Sequence, residues 1–298
     1  MSFAIIPDRK KRKIQQRVVE KTDVNNTINT PLNIIQPFDP LKHLSGSERV
    51  GIIGLPGTGK SCTVKYLIWQ LQHIFATLVV FSGSETDNGF YETFVPKLFI
   101  HNKLTEKHLK LTVNRQRLVM CNNEKKMGAF IGGDTHTLII MDDVLDDNRI
   151  TNNKTLSMLY KQGRHLNTSI FLVQQYCMDV KPYIRTTTSA VFLFYNGNLD
   201  VKKRIYENYG HTVFKDYASF DELYTFITTS EKFTAMVILL NQGTCNLTDC
   251  VFWYRAIPSE IPSNFRAGHP YIWQYSDERL DVEKSKDMTL LSTIVTDA

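Results

Sequence analysis

No stretch of this sequence approaches the roughly 20 consecutive apolar residues needed to cross a bilayer, and runs such as Ser169–Val173 and Met236–Leu240 stop far short. The N-terminus, MSFAIIPDRKKRKIQQR, lacks the apolar core and small-residue cleavage site of a secretory leader. The five cysteines, Cys62, Cys121, Cys177, Cys245 and Cys250, include no CxxC pair and no Cys/His spacing of a zinc site. A soluble chain in a reducing compartment, with no membrane span, is therefore expected. An Asn-Lys-x-Asp tetrapeptide, which a guanine-reading GTPase would need, is missing as well. Neither sign of charge dominates: 35 Lys and Arg against 30 Asp and Glu leave a formal net charge of +5, compatible with a polyanionic partner without demanding one.

What is present is enough apolar material, 42% of 298 residues, for one large domain or two small ones. Residues 1–45 are polar, contain Pro31, Pro37 and Pro40, and hold no lasting periodicity, so they read as a basic N-terminal arm. Its cluster Arg9–Lys13 suits a solvated end as well as it suits contact with nucleic acid or a nuclear-import signal. From about residue 46 to 275, short apolar runs alternate with amphipathic stretches, the rhythm of an α/β domain with a central, mostly parallel sheet flanked by helices. Strands are expected at Val50–Leu55, Leu78–Gly83, Lys97–His101, Thr137–Met141, Ser169–Val173, Ala190–Tyr195 and Ala235–Leu240. Helices are expected after Gly59 and over Thr105–Cys121, Lys154–His165 and Leu199–Tyr209. Leu247–Tyr275 is rich in aromatics and closes the domain, and residues 276–298 form a polar C-terminal tail.

The strongest local signal is Gly54-Leu55-Pro56-Gly57-Thr58-Gly59-Lys60-Ser61, a full GxxxxGK[ST] motif between an apolar strand and an amphipathic helix. Gly54, Pro56, Gly57, Thr58, Gly59, Lys60, Ser61 and Cys62 would wrap a triphosphate, because glycines let successive N–H groups and the helix N-terminus approach it. Lys60 would reach the β- and γ-phosphates, and Ser61 would ligate Mg²⁺. Nucleotide hydrolysis also needs an acidic element, and His136-Thr137-Leu138-Ile139-Ile140-Met141-Asp142-Asp143 supplies a buried strand ending in two carboxylates. Asp142 would hold the Mg²⁺ and Asp143 would orient or deprotonate the attacking water. The long separation of the two motifs favours a fold in which another strand lies between them and presents a polar sensor at its tip. Ser169–Val173 followed by Gln174 and Gln175 fits that strand; either glutamine could be the sensor, and Gln175 is the preferred one. Arg164, near a helix end, is the preferred arginine for neutralising transition-state charge in a neighbouring subunit, ahead of Arg185 and Arg149.

Three blocks, Gly54–Ser61, Leu138–Asp143 and GRHLNTSIFLVQQYCMDVKPYIRTTTSAVFLFY over Gly163–Tyr195, together with Asp249–Ala256, resemble the genome-packaging ATPases of nucleocytoplasmic large DNA viruses. These are the poxvirus-type branch of the FtsK-HerA superfamily of P-loop proteins, and the resemblance spans roughly residues 45–275. It implies an ASCE-type P-loop NTPase core, with ATP and Mg²⁺ as substrate and cofactor. It further implies a homo-oligomeric ring around double-stranded DNA, translocation into a preformed capsid, and docking on a capsid or packaging-vertex protein. Location would be the virus assembly site in the host cytoplasm, and the virion. Much of the superfamily has Glu where this chain has Asp143. No acidic metal cluster follows the core, so any DNA cleavage would need a separate nuclease. A motor that must pass any sequence should touch the DNA backbone, and Lys125, Lys126, Arg149, Lys154, Lys181 and Tyr183 are candidates for that contact.

Other readings stay open on the residues alone. Another FtsK-HerA or AAA-type ring ATPase, translocating DNA or remodelling protein, would share the phosphate site. A small-molecule kinase would leave the long segment after Gly163 without a purpose, and a nucleotide-binding scaffold would not need intact Lys60, Ser61, Asp142 and Asp143.

Overall fold

The computed structural model describes residues 35–44, 46–124, 135–145, 147–176 and 180–280. The expected arm cluster Arg9–Lys13 and the candidates Lys125 and Lys126 lie outside them. Among the described residues eight strands form one sheet: β1 (Arg49–Ile53), β2 (Thr77–Ser82), β3 (Ile100–His101), β4 (Thr137–Asp142), β5 (Thr168–Gln174), β6 (Ala190–Leu193), β7 (Thr234–Leu239) and β8 (Val251–Arg255). The helices are α1 (Pro40–His43), α2 (Lys60–Gln70), α3 (Glu85–Asn88), α4 (Glu106–Glu124), α5 (Asn148–Thr151), α6 (Lys154–Gln162), α7 (Pro182–Thr187), α8 (Leu199–Ile205), α9 (Tyr217–Ser230), α10 (Leu247–Cys250) and α11 (270–280). Among the described residues no helix is long and apolar enough to cross a membrane.

The sheet order is β3-β2-β4-β5-β1-β6-β7-β8, parallel from β3 through β6 and antiparallel at β6–β7 and β7–β8. β5 therefore separates β1, which leads into the glycine-rich loop, from β4, which carries the carboxylates. This is the intervening strand that the motif spacing predicts, and the fold is the expected P-loop α/β type.

Side-chain alternation along each strand splits the core between the two faces. Val50, Ile52, Leu138, Ile140, Phe171 and Val173 pack against Val64, Leu67 and Ile68 of α2. Ile139, Met141, Ile170 and Leu172 turn the other way, onto Leu109 and Val113 of α4 and Leu156 and Leu159 of α6. A third group, Val191, Leu193, Met236 and Ile238, is covered by Phe220, Leu223, Tyr224 and Ile227 of α9. Because every residue of β1, β2 and β5 is buried, these strands show the continuous apolar runs of a sheet covered on both sides. Leu67, fully buried in α2, would cost about 2–5 kcal/mol on truncation to Ala.

Several elements differ from the sequence expectation. The strand expected at Lys97–His101 is a 3₁₀ turn over Lys97–Phe99 and only two paired residues, since Pro96 and the sheet edge leave little to pair with. α9 was not expected, although Asp216 caps it by accepting from the Ser219 N–H at 2.8 Å and its apolar residues recur at helical spacing. β8 forms where the sequence shows only an aromatic closing block. The domain begins before residue 46: Ile35, Phe38 and Leu44 are buried, the Phe38 N–H donates to the Trp253 carbonyl at 2.8 Å, and Trp253 N–H donates to Gln36 at 3.2 Å. Residues 35–44, expected in the arm, thus cover the edge strand β8, which protects its unpaired backbone groups. At the other boundary α11 carries helix across residue 275 to 280, and Ile272 and Ser276 within it are buried.

Candidate active site

The loop from Gly54 to Gly59 leaves the end of β1, and α2 starts at Lys60. Two of its glycines are required by space. A Cβ on Gly54 would come within 2.5 Å of Phe194 Cβ, and one on Gly59, whose φ is 111°, would press on Phe233 backbone at 3.1 Å. Thr58 Oγ1 donates to the Leu55 carbonyl at 2.8 Å, tightening the turn, while Pro56 and Gly57 remain exposed. Lys60 is only 8% exposed, and its ammonium donates to the carbonyls of Gly54 at 2.7 Å and Leu55 at 3.0 Å. Ser61 and Cys62 follow in the first turn of α2. Burial pushes the Cys62 thiol up, so its part is played by the backbone N–H rather than by a reactive thiolate.

The acidic tip reaches the same place. Burial lowers the Lys60 pKa, and the fields of Asp143 and then Asp142 oppose that shift, which places both carboxylates within electrostatic range of the lysine. Asp142 continues the face of Leu138 and Ile140, the one covered by α2. Its carboxyl is pushed up to about 6, first by burial and then by Asp143 and Glu85, while the Tyr91 hydroxyl and Lys60 oppose the rise. Tyr91 O–H donates to Asp142 Oδ2 at 2.8 Å and is itself fully buried; burial and the Asp142 charge hold it far above the usual phenol range, so it remains a donor.

Asp143 leaves the strand with φ 49°, a left-handed conformation uncommon outside glycine, Asn and Asp, and its N–H donates to the Val173 carbonyl at 3.0 Å. That turn exposes its carboxylate, and Gln175 Nε2 donates to Asp143 Oδ2 at 2.9 Å. Alternation separates the two glutamines. Phe171 and Val173 face α2 and Gln175 follows their parity, whereas Gln174 shares the parity of Ile170 and Leu172, and its buried amide oxygen has no partner. Of the two candidates, Gln175 is the one in contact with the acidic tip.

Two residues of this site were missed by the sequence reading. Tyr91 lies in a 3₁₀ turn, and Glu85, 4% exposed in α3, accepts from the N–H groups of Tyr91 at 3.0 Å and Glu92 at 2.8 Å. The only usable signal was position: Glu85 closely follows β2, and β2 pairs with β4 so that Ser82 stands opposite Asp142.

The donor set suits magnesium. The Ser61 hydroxyl and the Asp142 carboxylate are hard oxygen ligands, and Asp142, Asp143 and Glu85 leave an excess of negative charge over Lys60. Among the described residues no group of three or more His, Cys, Asp or Glu could hold a metal unaided. A cation held by one carboxylate, one hydroxyl and substrate phosphates needs no such group.

Arg164 is not part of this corner. It sits exposed in the 3₁₀ turn Gly163–Leu166 that precedes β5, at the strand-start edge, whereas Lys60 and Asp142 lie at the strand-end edge. Arg149 pairs with Asp147 at 2.9 Å, and Arg185 lies in α7, which runs into the turn before β6. Tyr183, a candidate DNA contact, donates its hydroxyl to the Thr151 carbonyl at 2.9 Å and supports the α5–α7 packing.

Comparisons with known proteins bear on this geometry. The family model described as Poxvirus A32 protein matches residues 37–203, more than half of the chain. An uncharacterized protein, 015R, of Frog virus 3 (isolate Goorha) is 33% identical over 233 residues, covering 78% of this chain and 68% of its own length. Another, 088R of Invertebrate iridescent virus 3, is 28% identical over 238 residues, covering 80% and 84%. Among solved structures, the genome packaging NTPase B204 from Sulfolobus turreted icosahedral virus 2, in complex with ATP-gammaS, matches 72% of this chain and 100% of its own at 16% identity and a TM-score of 0.46. Glycine-rich loop, buried lysine, acidic strand tip and intervening strand make the chain a P-loop ATPase, and it belongs to the poxvirus A32 protein family.

Proposed function

We propose that this chain is the ATP-hydrolysing motor subunit that moves double-stranded viral DNA into a preformed capsid, working as a ring of identical copies. The observation that carries the reading is the split of the site: Lys60, Asp142, Asp143 and Gln175 gather at one edge of the sheet, and Arg164 stands at the other. β1 spans about 16 Å between those edges, so an Arg164 side chain meets a triphosphate only in another copy.

In that reading Lys60 leaves the Gly54 and Leu55 carbonyls for the β- and γ-phosphates, and the loop N–H groups cradle the same oxygens. Ser61 and Asp142 hold the magnesium ion, with Tyr91 fixing the orientation of Asp142. When bound, that ion neutralises charge on the phosphate oxygens. Asp143, oriented by Gln175, takes a proton from water as the water oxygen bonds to the γ-phosphorus and the bond to the ADP leaving oxygen breaks. Arg164 of a neighbouring copy stabilises the charge on the transferring group. Partners follow from the role: duplex DNA through its backbone, a capsid or vertex protein, and a separate nuclease, at the assembly site in the host cytoplasm.

The test is ATP turnover of the purified chain with and without duplex DNA, alongside its mass in solution with bound nucleotide. The reading expects turnover to rise severalfold with DNA and the mass to be a multiple of the chain. Turnover indifferent to DNA but raised by an unfolded protein would move the chain to the protein remodellers.

A further inference from the structure

Among the described residues three that are not glycine take a positive φ: Asp143 at 49°, Asn167 at 45° and Phe233 at 62°. Asp and Asn tolerate that region because a short polar side chain can bond locally, whereas a phenylalanine there is an outlier, held in a strained backbone by what surrounds it. Phe233 ends the connection between α9 and β7. On one side its turn is fastened to β8. Thr234 opens the β7–β8 ladder opposite Arg255, the Ala256 N–H donates to the Phe233 carbonyl at 3.2 Å, and Arg255 pairs with Glu231. On the other side Phe233 lies against the glycine-rich loop. A Cβ on Gly59 would stand 2.5 Å from Phe233 Cδ1 and 3.1 Å from both its Cα and its Cβ. The strained residue thus takes the space that a side chain at Gly59 would fill.

A phenylalanine stands at each end of this loop, and the two differ. Phe194, against Gly54, is 1% exposed, follows directly on β6 and donates its N–H to the Ile53 carbonyl at 2.8 Å, so the core accounts for its place. Phe233 is only partly buried, and packing of that extent is available to an unstrained backbone. What its left-handed turn adds is the contact with Gly59. That glycine has φ 111° and ψ 10° and immediately precedes Lys60 and Ser61 at the start of α2. Glycine reaches both signs of φ at little cost, so an unsupported Gly59 would have to be ordered each time phosphates bind. A bulky neighbour that removes the alternatives beforehand lowers that cost.

We propose that Phe233 is a positioning residue for the phosphate site: its strained turn holds Gly59, and through it the first turn of α2, in the conformation that a triphosphate meets. It acts by bulk on the loop and not by stacking on a base. The inference rests on the phosphate site at Lys60 and on neither the ring nor DNA.

The experiment measures binding of ATP with magnesium and of inorganic tripolyphosphate with magnesium to the full chain, by calorimetry and by competition against a fluorescent ATP analogue. Phe233→Ala should weaken both ligands by the same factor, on the order of tenfold, because the loop meets only the phosphates they share. Phe233→Leu, which keeps bulk without an aromatic face, should recover most of that loss. Phe233→Gly relieves the backbone strain, so it should melt at or above Phe233→Ala and yet bind no better, which separates loop positioning from overall stability. Lys60→Ala should lose both ligands; wild-type chain that binds neither would remove the phosphate site itself, and the role of Phe233 with it. A loss confined to ATP, or Phe233→Leu no better than Phe233→Ala, would assign the ring to the base and overturn the proposal. Unchanged affinity for both ligands in Phe233→Ala that melts cooperatively would overturn it too, leaving Phe233 a packing residue.

Discussion

At the strand-end edge of the sheet one lysine, Lys60, sits among the carboxylates Asp142, Asp143 and Glu85, whereas at the strand-start edge three cations share a cavity with the single carboxylate Glu48. The first edge gathers a lysine and hard oxygen ligands, the proposed place for a cation and a triphosphate. The second carries the positive charge that a phosphoryl transfer site lacks. Both are built by the same parallel strands, whose direction sends β1, β4 and β5 into the acidic edge and starts them at the basic one. In the proposed ring, a single copy would hold the parts of a catalytic site at edges that it does not bring together. Apposing the two edges of different copies would relieve both charge excesses at once.

The largest expected effect removes the lysine of the acidic edge. Lys60→Ala should lower ATP turnover by on the order of 10³-fold and weaken nucleotide binding, because a preorganised donor to the transferring phosphate is lost. Phosphate release and nucleotide titration check it; turnover above a tenth of wild type would detach the lysine from the chemistry. Arg164→Ala sharpens the comparison from the other side. If the edges meet between copies, turnover falls by roughly 10³-fold, and mixing mutant with wild-type chains poisons activity beyond simple proportion. A strictly proportional loss in the mixing series would make Arg164 structural.

Asp143→Asn comes next. It preserves the shape and the Gln175 contact but removes the proton acceptor, so turnover should drop about 10²-fold with nucleotide affinity within a factor of a few. Unchanged turnover would reassign the base. Glu85 is a further carboxylate at this edge, although both its oxygens already accept backbone N–H bonds.

The acidic edge was more legible in the sequence than the basic one, for physical reasons. Gly54–Ser61 announces itself because steric demands at Gly54 and Gly59 and the lysine spacing are local to eight residues. The tip Asp142-Asp143 is visible because an apolar strand must end where it meets water. What a local pattern does not carry is the face each side chain takes once helices are placed. Gln174 and Gln175 are distinguished only when α2 is known to cover the Phe171–Val173 parity, and the left-handed turn at Asp143 has no sequence signature beyond a residue type that tolerates it. Tyr91 and Glu85 lie in short turns with no period to reveal them. Arg49 and Tyr160 come together because Arg49 faces away from Val50 and Ile52, toward α6, a contact across more than a hundred residues. α9, by contrast, was within reach: the Asp216 cap and its apolar spacing are both local.

The smallest effect tests whether the acidic edge is strained when empty. Asp142 has its pKa pushed up to about 6 from a model-peptide value of about 3.8, chiefly by burial. A carboxyl raised in the folded state costs nothing where both states are protonated. It costs increasingly as pH climbs from about 4, where the unfolded chain ionises freely, to about 6, and by a constant amount beyond, up to roughly 3 kcal/mol. Asp142→Asn keeps an acceptor for Tyr91 and removes the charge. The nucleotide-free variant should therefore melt at the same temperature as wild type near pH 4, gain stability through pH 6, and stay a few degrees higher at pH 8. Adding ATP analogue with magnesium should reverse the order at pH 8, because only the wild-type carboxylate has a cation to hold. Equal melting temperatures from pH 4 to 8 without nucleotide would mean that Asp142 is solvated well enough to need no counter-charge, and the contrast between the two edges would then rest on the basic one alone.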